Sequence, residues 1–270
     1  MTLVRPPAVA GAFYPASATT LAHDIQAYLD AVEADDQVSH DHPPKAIVVP
    51  HAGYVYSGPI AASAYAKLLP LKGRIERVVL LGPCHRVPVR GLALCEADSY
   101  VTPLGQVPVD HTLDANILAL ESTEVYDAAH QPEHSLEVQL PFLQAVLGGF
   151  KVLPIVVGGA TPGQVAKVLD CVWGGPETLI VISTDLSHYL NYDTARAIDQ
   201  RTCQAIETLN GDAIHDDQAC GRHPLKGLLE TAKRRGMTVE TLDLRNSGDT
   251  AGTRDQVVGY GAWALWERAP

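Results

Sequence analysis

The 270-residue chain has no surplus of positive charge, no paired cysteines and no long apolar run. Each absence excludes a class of protein. With 20 Lys and Arg against 31 Asp and Glu, the net charge is −11. A nucleic-acid binder presents a basic face to neutralise phosphates, so neither DNA nor RNA is an expected partner. The one compact basic cluster, Lys233-Arg234-Arg235, reads as the charged end of a helix. The five cysteines (84, 95, 171, 203 and 220) contain no CxxC pair, which argues against a disulfide scaffold or zinc ribbon and for a reduced, cytoplasmic setting. Nothing approaches the roughly 18 uninterrupted apolar residues of a membrane span. Pro6, Pro7 and Pro15 break up the first residues, so neither a signal peptide nor a membrane is expected. No GxSxG elbow is present, and Val157-Gly158-Gly159 fits no phosphate-cradling fingerprint.

What is there is an ordinary globular balance, 46% hydrophobic and 19% charged, in a chain long enough for a large core. Residues 1–16 read as an extended arm, because proline fixes φ and removes a backbone donor. A helix capped by Ser17 or Thr19 runs to about Val32, with Leu21, Ile25, Tyr28 and Leu29 at helical spacing. Residues 33–44 read as an exposed loop carrying His40 and His42. Further helices are expected at 57–69, 111–121, from 134 to 143, and at 162–172, 192–209 and 222–235. Strands are expected at 46–49, 77–82, 91–95, 151–157, 178–183, 238–244 and 257–266, with a turn and short strand over 102–109. Strands separated by helices, without repeat or linker, imply one α/β domain over 1–270. Its central sheet is mixed or mostly parallel and covered by helices on both faces.

Three expected strands share an ending. Val48-Val49 stops at Pro50-His51, Leu80-Leu81 at Gly82-Pro83-Cys84-His85, and Val181-Ile182 at Ser183-Thr184-Asp185-Leu186-Ser187-His188. Open α/β sheets place ligands at the carboxyl ends of strands, and imidazole is a common metal ligand or acid–base group. A turn histidine satisfied by backbone groups is the plain alternative for each. Asp185 can fix the tautomer of His188 or cap the turn after it. His134 and Glu137, three apart, can face one side of a helix start, as substrate contacts or as a favourable helix terminus. Cys220, in Ala219-Cys220-Gly221-Arg222-His223-Pro224, precedes a helix start, where a thiolate is favoured. Cys84 ranks below it, because adjacent strand-end residues diverge. Cys95, Cys171 and Cys203 read as small hydrophobes, and His23, His111, His130 and His215 as surface residues.

In order, the segments Arg5–Pro15, Pro50-His51-Ala52-Gly53-Tyr54 with Ser57-Gly58, Leu81–His85, Glu133–Glu137 with Leu140-Pro141, Ser183–Tyr189 and Cys220–Pro224 resemble the Memo family. In bacteria and archaea this family is called AmmeMemoRadiSam system protein B. Its fold is similar to the catalytic subunit of class III extradiol ring-cleavage dioxygenases, which are non-haem iron(II) enzymes. The resemblance implies His51, His85 and Cys220 as metal ligands, and His188, with Asp185 beside it, as the acid–base histidine. Tyr54, His134 and Glu137 are then the expected substrate contacts. Cys220 stands where the dioxygenases have a carboxylate; a softer thiolate makes copper and zinc competitors of iron(II). Arg86 replaces a histidine found in some members, making the rim more positive or simply pointing to solvent. The implied activity is a metal-dependent oxidoreductase. The alternative is a non-catalytic protein whose pocket recognises a small molecule or peptide, working with a radical-SAM protein and a third partner.

Overall fold

The computed structural model describes residues 2–32 and 42–268. Most of the segment expected as an exposed loop, including His40, lies outside the described residues. His42 lies within them and donates from Nε2 to the Glu267 carbonyl at 2.7 Å.

In chain order the elements begin with β1 (Val4–Arg5), α1 (Ala18–Asp30), β2 (Ala46–Val49), α2 (Tyr54–Ala66), β3 (Arg77–Pro83) and β4 (Leu92–Leu94). They continue with β5 (Ser99–Thr102), β6 (Gly105–Pro108), α3 (Asp114–Leu118), β7 (Thr123–Val125), α4 (Asp127–His130), α5 (Gln139–Leu147) and β8 (Lys151–Val157). Then come α6 (Pro162–Val172), β9 (Thr178–Ser183), β10 (His188–Leu190), α7 (Tyr192–Glu207), α8 (Arg222–Arg235), β11 (Thr238–Asn246) and β12 (Val257–Trp266).

The apolar runs form the centre of a nine-stranded mixed sheet in the order β10-β12-β2-β9-β3-β8-β4-β7, with β11 also paired to β12. Its middle is parallel: β2 pairs with β9, β9 with β3 and β3 with β8. Successive side chains of a strand point to opposite faces. Ile47, Val49, Val78, Leu80 and Val181 pack under α1, α2 and α5. Ala46, Val48, Val79, Leu81, Ile180 and Ile182 pack under α6, α7 and α8. Burial on both faces explains why these strands read as unbroken apolar runs. A three-stranded sheet, β1-β5-β6, ties the N-terminal arm to the body.

Ser17 is the residue that caps α1, accepting from the Thr20 N–H. Lys233, Arg234 and Arg235 sit in the last turn of α8, which Gly236 ends in a left-handed conformation. Three starts differ from expectation, α3 among them, which begins at Asp114 rather than 111. Helix α2 begins at Tyr54, three residues early, and α5 begins only at Gln139, because residues 134–138 form turns. The short elements β7, α4 and β10 carry too few residues for periodicity to mark them. Because β2, β3 and β9 run parallel as neighbours, their carboxyl ends open on one edge of the molecule. The three polar strand ends meet there.

Candidate metal centre

His51 leaves β2 after Pro50 and is buried, 1% exposed. Its backbone N–H donates to Asp185 Oδ1 at 2.7 Å, and its Nδ1 meets Ser183 Oγ at 2.9 Å. The Ser183 hydroxyl spends its one proton on the Ser135 carbonyl, 2.6 Å away. Ser183 Oγ must then accept from His51, so the ring proton is on Nδ1 and the Nε2 lone pair is free. Gln139 Nε2 also donates to Ser183 Oγ, at 2.8 Å, and to the Pro50 carbonyl, at 2.9 Å, holding the strand end in place.

His85 is oriented by Glu133. Its N–H donates to Glu133 Oε2 at 2.6 Å and its Nδ1 to Oε1 at 2.9 Å, again freeing Nε2. Oε1 also accepts the N–H groups of His134, at 2.9 Å, and Ser135, at 2.8 Å. Burial alone would raise the Glu133 carboxyl, but the bonds from His85 and Ser135 outweigh it and hold it down at about 2. It is a fixed anion at neutral pH.

His134 is the third ring. Its centroid lies 4.7 Å from that of His85 and 5.4 Å from that of His51, and Phe13 of the arm packs on it at 4.7 Å. His134 Nδ1 is buried without a hydrogen-bond partner; Glu133 Oε1, 3.3 Å away, lies outside hydrogen-bond geometry. Burial and then the proximity of His85 push His51 down to about 3; burial and then His51 push His134 down to about 4. Both are neutral imidazoles at neutral pH, the form that binds metals.

One donor nitrogen from each of His51, His85 and His134 lies within 4.8 Å of the others, a group able to hold a metal ion. Cys220 stands beside it, with Sγ 3.4 Å from His51 Nε2. Gly221 makes that approach possible, since a Cβ there would stand 2.6 Å from the Ser183 carbonyl oxygen. Burial and then the Asp185 carboxyl push the Cys220 thiol up to about 12. The Asp185 carboxyl is itself raised by burial, against the His51 N–H bond that lowers it. His188, half-buried at the start of β10, donates from Nδ1 to the Leu186 carbonyl at 2.7 Å, leaving its Nε2 lone pair free. The donor set fits a first-row divalent ion: three imidazoles, two with Nε2 freed by the partners that fix Nδ1, and a third whose buried Nδ1 has none.

The sequence profile of the Memo-like proteins matches residues 5–264. The chain belongs to the Memo-like protein family. Among relatives of this Memo-family chain, a MEMO1 family protein of Aquifex aeolicus is 40% identical over 95% of this chain and 97% of its own length. One from Sulfolobus acidocaldarius is 34% identical over 96% and 98%. The crystal structure of an uncharacterized Escherichia coli K12 protein shares the fold, with a TM-score of 0.51 at 12% identity, covering 81% of this chain and 99% of that one.

The fold gathers His51, His85, His134, Asp185, His188 and Cys220 around one spot, and turns two expected substrate contacts away from it. Tyr54 donates its hydroxyl to the Val138 carbonyl at 2.7 Å and is buried in the core. Glu137 is fully buried: it pairs with Arg5 at 2.5 Å and accepts from Ala8 N, Val9 N and the Tyr14 hydroxyl. Their polar ends are spent on holding the arm and α5, so neither faces a ligand. His130, expected on the surface, is also buried, bonded to the Tyr100 hydroxyl and the Ala93 carbonyl. Arg86 is exposed, and the Cys84 thiol donates to the Val87 carbonyl. Sequence pattern alone gives Glu133, Ser183 and Gln139 no role. Glu133 carries a local signal, its adjacency to His134, whereas its bond to His85 and the partners of Ser183 and Gln139 come from segments far along the chain.

Proposed function

We propose that this chain is a mononuclear metal protein and an oxidoreductase, with iron(II) held by His51, His85 and His134 and with Cys220 as a further donor. The observation that supports this most is the convergence of three imidazole donor nitrogens within 4.8 Å of one another. Two donors about 2.1–2.3 Å from one ion at a tetrahedral angle stand about 3.6 Å apart, and Cys220 Sγ lies 3.4 Å from His51 Nε2. A thiol pushed up to about 12 becomes a ligand only when a cation compensates its charge. Iron bound there supplies one-electron chemistry and open coordination positions for a small oxidant and a substrate. His188, with Nδ1–H anchored on Leu186, offers Nε2 to accept a proton from a phenolic or thiol substrate. Asp185 fixes the His51 backbone and keeps Oδ2 3.9 Å from His51 Nε2, at the inner wall of the site.

The test is metal analysis of protein prepared anaerobically with iron supplied, followed by oxygen-uptake screening of phenols and thiols. Stoichiometric iron is expected in the wild type and none in His51→Ala; Cys220→Ser binds more weakly and loses the thiolate charge-transfer band of its cobalt form. His188→Ala keeps its metal and loses turnover; normal turnover by that variant rules out the acid–base role.

A second reading, a binding protein acting with a radical-SAM protein and a third partner, is favoured by one observation. Tyr189, next to His188, and Tyr56, which shares the neighbour Tyr260 with Tyr189 and Asp185, are exposed by 70% and 39%. Exposed apolar side chains beside a site suit a peptide or protein ligand. Metal-replete protein that turns over nothing, yet captures those partners in a manner sensitive to Tyr189→Ala, favours this reading.

A further inference from the structure

Helix α7 buries a carboxylate for which the metal site offers no direct reason. Asp199 is 3% exposed, and burial is the largest influence on its carboxyl. Its Oδ1 accepts the backbone N–H of Ser187 at 3.1 Å. On the other side, His188 Nδ1–H is donated to the carbonyl of Leu186 at 2.7 Å. That N–H and that carbonyl are the two ends of one peptide group. The planar trans amide between residues 186 and 187 therefore links carboxylate to imidazole in a single hydrogen-bonded chain. Whatever aims the N–H also aims the C=O.

The surroundings hold this amide in place. Leu186 N donates to Gly259 O and Gly259 N donates to Ser187 O, each at 2.8 Å, so β12 brackets the segment from both sides. At Gly259 a Cβ would stand 2.0 Å from Asp199 Oδ2; only a bare Cα lets the carboxylate reach across β12. Tyr189, directly after His188, has φ of +56° at the break in register between β10 and β12. A tyrosine in that region persists where its surroundings impose it.

We propose that Asp199 is a positioning residue for His188. Acting through the 186–187 peptide, it holds the imidazole as the Nδ1–H tautomer with Nε2 turned free, and by polarising the amide it strengthens the bond to Nδ1–H. This does across a peptide what a carboxylate bonded directly to a histidine does elsewhere. Its catalytic weight rests on His188 being the acid–base group proposed above; the coupling itself does not.

The experiment reads His188 by NMR in 15N-histidine-labelled, zinc-loaded protein at pH 8. Burial raises Asp199 to about 6, so it is ionised there. The His188 signals are identified by their loss in His188→Gln. The wild type shows the Nδ1–H tautomer alone. Asp199→Ala loses it to a tautomer mixture. Asp199→Asn keeps an oxygen acceptor without the charge: the tautomer survives, while the Ser187 amide proton and the His188 Hδ1 proton both move upfield. A folded Asp199→Ala protein with the wild-type tautomer overturns the proposal. Should that variant not fold, an Asn variant in which the Ser187 proton moves and His188 Hδ1 does not also overturns it. Oxygen uptake unaffected by His188→Gln refutes the acid–base reading instead, and leaves the tautomer result to be judged separately.

Discussion

Glu133 puts its two oxygens to use on four donors, two from His85 and one each from His134 and Ser135. An amide at this position keeps one acceptor oxygen and turns a donor toward the groups that now donate. Replacement of such an orienting carboxylate typically weakens metal binding by about 10- to 100-fold. Glu133→Gln is therefore expected to lose zinc affinity by that factor in a chelator competition, with its circular dichroism unchanged. Equal affinity in the two proteins means that His85 is oriented by something other than Glu133. Ser183 works the same way on His51, but as a neutral relay whose proton is already committed to Ser135.

The N-terminal arm is the element on which the site leans. Arg5, in β1, donates from Nε to the His130 carbonyl and from Nη2 to the Glu133 carbonyl, at 2.8 and 2.6 Å, besides pairing with Glu137. It clamps the segment that carries both Glu133 and His134. Removing one partner of a buried ion pair leaves an uncompensated charge and costs about 3–5 kcal/mol. Arg5→Met should lower the urea-unfolding free energy of the metal-free protein by that amount. Arg5→Met with Glu137→Leu should recover part of it, since no charge is then stranded. A double variant no more stable than Arg5→Met shows that the arm's backbone bonds to Glu137, rather than its charge, dominate.

For the molecule as a whole, several buried imidazoles tie stability to pH. Burial keeps His51 at about 3, and His130 and His134 at about 4, against about 6.5 unfolded. With the folded values depressed, the unfolded chain takes up protons first. Stability is full above pH 6.5 and is lost as pH falls toward the folded values. Each such histidine contributes a slope of about 1.4 kcal/mol per pH unit within that window. Chemical unfolding of metal-free protein at pH 7.5, 6 and 5 should show the loss, reduced in His134→Phe. Glu133 adds to it only below about 4.5, where the unfolded carboxylate protonates first. A flat profile from pH 7.5 to 5 contradicts the neutral burial of these rings.

The sequence by itself determined the layered α/β architecture, because strands buried on both faces must be continuous apolar runs, and helical stretches separate them along the chain. It also determined that His51, His85 and His188 follow apolar strands, since Pro50, Pro83 and Ser183 mark where those runs stop. Local pattern carries both facts. Only the tertiary structure decided that His134 joins His51 and His85, that Tyr54 and Glu137 face the core, and that Asp199 reaches His188 through a peptide. Each of these depends on which distant segments pack together: β1 against β5, residues 133–135 against the ends of β3 and β9, and α7 across Gly259 of β12. Contacts across such separations follow from the packing of whole elements, and no spacing along the chain encodes them.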